Sequence, residues 1–254
     1  FLNLLSLRQS EQCQTHHLIN LIRLTSMQND AEVKQTPRGV GLIGSTEPRI
    51  HTPLLTGPSK AQEVADFATK IGLPLVPWQR WVLDDLLSTA EDDTWRKKTA
   101  LILVARQNGK THLARMLILS HLFLWGSKNV LGMSSNRNMA LDTFRQVAYT
   151  IEDNQFLKDQ VRQIRLANGQ ESISLLNGAR YEIAAATRDA PRGKTADFLY
   201  IDELREWTEE AFTAALPVTR ARPNAMTLMT SNAGDGFSTV LNDLRERCLS
   251  YPPD

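Results

Sequence analysis

Two kinds of apolar pattern alternate along this chain from about residue 59 onward. Residues 99–105 (TALILVA), 129–133, 197–201 (DFLYI) and 225–229 are short runs dominated by apolar side chains. Such runs suit strands covered on both faces in a parallel sheet. Between them, apolar residues recur at helical spacing. Val64, Phe67, Ala68 and Ile71 share one face after Ser59, a cap candidate, and Gly72 closes that helix. Trp78, Trp81, Val82, Leu86 and Leu87 mark a second helix over 78–87, approached through Pro74 and Pro77. Leu113, Met116, Leu117 and Leu124 mark a third over 110–125, and further helices are predicted over 138–153, 206–215 and 238–249.

Two Asn-Gly pairs interrupt this alternation, at Asn168 and Asn177. The second lies between 172–176 and 180–185, which predicts a β-hairpin. Strands alternating with helices imply an α/β fold with a mainly parallel sheet, right-handed crossovers, and this hairpin as an antiparallel insertion or edge. The stretch 36–58, rich in Gly, Pro and Thr, has little periodicity and reads as loop. Residues 1–58 are therefore expected to be a poorly ordered N-terminal extension. Two readings stand for residues 1–26, which precede the first methionine, Met27: upstream sequence, or a natural extension.

Composition narrows the function classes. The chain has 254 residues, 42% of them apolar, and a net charge of only +1, so no global basic field marks it as a nucleic-acid binder. Any such contact must come from a local patch. Cys13 and Cys248 sit near opposite ends without metal-ligand spacing, which fits a reducing compartment and argues against a disulfide framework. The five histidines show no zinc spacing. No apolar run reaches the roughly 18 residues of a membrane span.

Candidate chemistry begins at residues 104–111, VARQNGKT. A strand, a polar turn, then Gly-Lys-Thr opening a helix is the arrangement a triphosphate needs. Backbone N–H groups of the turn and the positive helix terminus face the phosphates. Arg106, Gln107, Asn108, Gly109, Lys110, Thr111 and His112 are thus candidate nucleotide-binding residues. Lys110 would neutralise the β- and γ-phosphates, and Thr111 would hold Mg²⁺ through its hydroxyl. The match is incomplete, because Val104 stands where the full pattern has a first glycine. A second element is FLYIDE, residues 198–203: a strand ending in two acids. Asp202 would order the metal and Glu203 would polarise the attacking water as general base. A solvated acidic loop is the bland alternative for this element alone; the pairing with the Lys110 turn favours the chemical one.

In combination these residues resemble the ATPase domain of large terminase subunits of tailed bacteriophages. ARQNGKT, with Arg106 in the turn, looks like the family's deviant phosphate loop, and YIDE looks like its acidic motif. TSNAG (230–234), containing Asn232, is similar to its coupling motif, and PWQ (77–79) to its adenine-contacting glutamine motif, here Gln79. PRGKT (191–195) resembles a segment carrying an arginine that acts on a neighbouring subunit's ATP, here Arg192. Met139-Ala140 replaces a Gln-Ala pair frequent in relatives. The resemblance runs from about residue 75 to 249. It implies a P-loop NTPase of the RecA/ASCE-like type, with a helical lead-in over 59–98 and a core over 99–254. It also implies ATP and Mg²⁺ as ligands and hydrolysis coupled to translocation of double-stranded DNA into a procapsid. A homo-oligomeric ring, pentameric by family likeness, would act on a portal protein with a small terminase subunit, in the host cytoplasm.

Several roles stay open at this level. Arg106 either senses γ-phosphate in cis or pairs with a carboxylate. Arg192 is either a trans arginine finger or a solvated residue in a basic strip with Arg188 and Lys194. Gln79 either reads adenine or is an exposed glutamine at a helix start. Trp78 and Trp81 are expected to be core anchors. Arg220, Arg222, Arg245 and Arg247 are candidates for DNA contact, each with an ordinary solvated reading beside it. No second acidic constellation follows, so nuclease activity is not expected of this chain. Two rival readings are a helicase-like translocase and a nucleotide-binding assembly module with little turnover.

Overall fold

A computed structural model describes residues 19–24 (backbone only), 44–167, 169–187 and 193–250. Eight strands form one sheet: β1 (Ile19–Leu24), β2 (Thr99–Val104), β3 (Asn129–Ser134), β4 (Val161–Arg165), β5 (Ser172–Leu175), β6 (Arg180–Ala185), β7 (Phe198–Asp202) and β8 (Met226–Ser231). Their spatial order is β1-β2-β8-β7-β3-β6-β5-β4. The first six in that order run parallel, and β5 and β4 complete the sheet antiparallel.

Burial explains why apolar runs became strands. Along β2, Ala100, Ile102 and Val104 enter one core cluster, and Leu101 and Leu103 enter the other. The period-2 alternation thus has apolar partners on both faces. The first face is covered by α1 (Ala61–Lys70), α2 (Pro77–Leu86), α3 (Lys110–Phe123) and α4 (Arg137–Glu152). The second is covered by a 3₁₀ turn at Leu204–Glu206, α6 (Glu209–Ala215) and α7 (Thr239–Ser250). Helix α3 is apolar nearly all round, with Leu113, Ala114, Met116, Leu117, Ile118, Leu119 and Leu122 buried, as a helix enclosed between sheet and lead-in must be.

Local sequence sets the element ends. Ser59 Oγ accepts from Ala61 N–H at 3.2 Å ahead of α1, and Asn136 Oδ1 accepts from Met139 N–H at 3.0 Å at the start of α4. Asn177-Gly178 turns the hairpin as expected. Gly178 sits at φ 84°, a conformation without penalty only for glycine, and Asn177 Oδ1 accepts from Ala179 N–H at 2.8 Å.

Three differences from the sequence reading have physical causes. Within the expected N-terminal extension, Ile19–Leu24 pairs in parallel along the whole of β2, a long-range pairing that local periodicity did not announce. Strand β4 and a short helix α5 (Gln155–Lys158) were not anticipated, because β4 is a half-exposed edge strand bearing Arg162, Gln163 and Arg165. The helix expected over 206–215 divides, since Thr208 adopts an extended conformation and caps α6 through Ala211 N–H. Cys13, Met27, Asn168, Arg188 and Arg192 lie outside the described residues. Among the described residues no helix is long and apolar enough to cross a membrane.

Candidate active site

The carboxyl ends of β2, β8 and β7 lie side by side, and the polar residues that follow each strand meet there. This edge is where parallel α/β sheets bind ligands. The phosphate-loop strand and the acidic strand are not neighbours: β8 stands between them and pairs with both.

The turn after β2 is braced from α2. Gly109 takes φ 85°, and a Cβ there would lie 2.8 Å from Gln79 Nε2, so the position demands glycine. Gln79 Nε2 donates to Gly109 O at 2.9 Å, and Trp78 Nε1 donates to Asn108 O at 3.1 Å. Gln79 Oε1 accepts from Val76 N–H at 3.0 Å, closing the first turn of α2. Gln79 is only 1% exposed, with both ends of its amide engaged by the backbone. Trp78 packs against the core only in part and acts here as a donor to the loop.

Lys110 opens α3 and turns inward. Its ammonium donates to Val104 O at 3.1 Å, to Ala105 O at 3.4 Å, and to Asn232 Oδ1. Every one of these hydrogen-bond acceptors is neutral. Burial lowers the Lys110 pKa, and the carboxylates of Glu203 and Asp202 pull it back up, while Arg106 and Arg205 push it further down.

Asp202 is fixed at the tip of β7. Its Oδ1 accepts from Thr230 Oγ1 at 2.7 Å and from Glu203 N–H at 2.9 Å. Since the Thr230 proton is spent there, Tyr200 O–H donates to Thr230 Oγ1 across 3.0 Å. Tyr200 is wholly enclosed, and its pKa is raised well above the ordinary value by burial and by the Asp202 charge. Glu203 then leaves the strand at φ 49°, a left-handed conformation that a non-glycine residue holds only when its surroundings enforce it. Trp207 Nε1 on Asp202 O at 2.9 Å and Glu206 N–H on Glu203 O at 2.9 Å supply that enforcement.

Asn232, just beyond β8, joins the two halves. Its Oδ1 receives the Lys110 ammonium, and its Nδ2 donates to Glu203 Oε1 at 3.3 Å. The lysine of the turn, the amide after β8 and the acid after β7 therefore form one connected chain.

The other predicted residues divide by place. Arg106, Gln107 and Asn108 are exposed on the turn, and Asn108 Nδ2 donates to Arg106 O at 2.8 Å. Thr111 is half-buried in the first turn of α3. His112 faces Arg115, with Nδ1 and Nη2 2.9 Å apart, and its pKa is lowered by burial and then by that guanidinium. Lys194 pairs with Glu182 at 2.6 Å, and Arg222 with Asp197 at 3.6 Å. Arg247 pairs with Asp243 on α7. The residue that sequence reasoning missed is Arg205, whose Nε lies 3.3 Å from Glu203 Oε2. A basic residue two places after an acid pair was its only sequence signal. Among the described residues no group of three or more His, Cys, Asp or Glu could hold a metal. A cavity of about 160 Å³ between α4 and the β4–β5 connection shares no residue with this site.

Strand order and convergent tips define a P-loop NTPase with one strand interposed between the phosphate-loop strand and the acidic strand. The model of the terminase large subunit ATPase domain matches residues 77–248, and the chain belongs to that family of ATPase domains. A search of curated proteins returns no match. Among solved structures, the large terminase of bacteriophage HK97 is similar at 21% identity and TM-score 0.58, over 74% of this chain and 42% of that one. The large terminase ATPase domain of Thermus phage P74-26 is similar at 19% identity and TM-score 0.53, over 68% of this chain and 71% of that one. The chain thus spans less than half of the HK97 protein.

Proposed function

We propose that this domain hydrolyses Mg-ATP to drive double-stranded DNA into a viral procapsid, as part of a large terminase. The reading rests on one observation above all: Lys110, Asn232 and Glu203 are linked in a single chain across three strand tips. An ammonium held by neutral acceptors exchanges them readily for phosphate oxygen. The turn N–H groups and the start of α3 favour the triphosphate there. Lys110 and Arg106 offset its charge, and Gln107, Asn108, Gly109 and His112 shape the cradle.

The donor set fits a hard divalent ion. Asp202 keeps its carboxylate fixed by Thr230, and Thr111, in the first turn of α3, would supply a hydroxyl. Two oxygen donors leave most of the coordination to phosphate and water, the way Mg²⁺ is usually held. The ion when bound would neutralise charge on the phosphates. Glu203 orients the attacking water and accepts its proton late in the in-line displacement. Asn232 contacts both the lysine and the base, so loss of γ-phosphate alters the end of β8 and carries the event to DNA. Gln79 serves the adenine end by fixing α2 against the turn.

In this reading the domain works in a homo-oligomeric ring on a portal protein, with a small terminase subunit, in the host cytoplasm. Arg192 of one subunit completes the next subunit's site. The test is ATP turnover with duplex DNA for the wild type and for Glu203→Gln. The variant should bind ATP undiminished yet release phosphate at least about a hundredfold more slowly. Equal release by the two proteins overturns the assignment.

A further inference from the structure

Glu203 is held at both carboxylate oxygens, and only one holder belongs to a recognisable motif. Oε1 receives Asn232 Nδ2 at 3.3 Å; Oε2 faces Arg205 Nε at 3.3 Å, an ion-pair distance without hydrogen-bond alignment. Both side chains are largely enclosed, with Glu203 14% and Arg205 26% exposed. Arg205 is itself tied down. Its backbone N–H donates to Ser231 Oγ at 3.1 Å, and its Nη2 lies 3.0 Å from Glu206 Oε1. Asn232 and Ser231 are consecutive at the end of β8, so both arms on the glutamate rest on one strand end.

We propose that Arg205 is a positioning residue for hydrolysis, holding the Glu203 carboxylate in register with the end of β8. This rests on the reading of Glu203 as the base. The backbone at Glu203 is left-handed, so the side chain leaves β7 at an angle the strand does not support. A long side chain in that position samples several rotamers unless its oxygens are fixed. Asn232 alone fixes one oxygen and leaves rotation about it. Arg205 removes that freedom, and its Nε and Nη2 span Glu203 and Glu206. A lysine, with a single charged nitrogen, reproduces the charge and only part of the geometry.

A double-mutant cycle on ATP turnover tests this, using wild type, Arg205→Ala, Arg205→Lys, Glu203→Gln and the Glu203→Gln/Arg205→Ala double variant. Arg205→Ala should lower kcat on the order of tenfold to a hundredfold, as a small misplacement of a reacting group does, with KM for ATP essentially unchanged. Arg205→Lys should recover part of the loss. In the Glu203→Gln background the alanine substitution should cost nothing further, because its effect passes through the missing carboxylate. A raised KM with unchanged kcat, wild-type turnover by Arg205→Ala, or an equal loss in the Glu203→Gln background would each overturn the proposal. Wild-type turnover by Glu203→Gln alone would instead remove the assignment of the base.

Discussion

Strand β2 has a buried lysine near each of its ends, and the two are held in opposite ways. At its start, Lys97 is fully enclosed and donates directly to the Asp85 carboxylate, whose other oxygen accepts from Leu55 N–H at 2.8 Å. Beyond its carboxyl end, Lys110 is nearly as enclosed but donates to two carbonyls and an amide, and the Glu203 carboxylate is linked to it through Asn232. Burial pushes both pKa values down. At the base of the sheet the counter-charge is in contact, and the pair is a joint between α2 and the segment that leads into β2. At the tip the contact partners are neutral, and the cation remains available to an anion. A buried charge compensated in contact is a structural joint, whereas one held by neutral acceptors is a candidate for chemistry.

The largest effect should come from breaking the joint. Lys97→Ala leaves Asp85 buried without its cation and should cost about 3–5 kcal/mol in denaturant unfolding. Turnover per folded molecule should stay at the wild-type level. A loss below about 1 kcal/mol would mean that the pair holds nothing the surrounding apolar core does not.

A smaller effect sharpens the same contrast through pH. His121, on α3 near the base of the sheet, stacks on Phe198 at 4.2 Å, and complete burial pushes its pKa down to about 3. The folded protein therefore keeps it neutral while the unfolded chain protonates below about 6.5. Its contribution is complete above that pH and is lost as pH falls toward about 3. From pH 7 to 5 the wild type should lose about 2 kcal/mol on this account, and His121→Phe should lose correspondingly less. Identical slopes for the two proteins in urea unfolding at these pH values would remove His121 from the account.

The asymmetry between base and tip also explains what the sequence made legible. The tip is encoded locally: GKT follows an apolar run, DE ends one and TSN ends another. Short motifs at strand ends can be placed from spacing alone. The joint is not, because Asp85 lies on α2 and Lys97 in the coil before β2, and neither stands out from ordinary surface charges until both are seen buried. The place of Gln79 at the start of α2 is legible, but its contacts are not, since its hydrogen bond to Gly109 spans thirty residues. Likewise β1 finds its pairing partner in β2, far along the chain. The interposition of β8 between the two motif strands could not be read from sequence order, and it is what makes Asn232 the bridge between them.

The most direct test is ATP turnover by Lys110→Ala beside its thermal unfolding. The tip cation should be needed for chemistry and dispensable for folding. Phosphate release should fall by about a hundredfold or more, while the melting temperature stays within a few degrees of wild type. Retained turnover, or collapse of the fold with activity per folded molecule intact, would contradict the account.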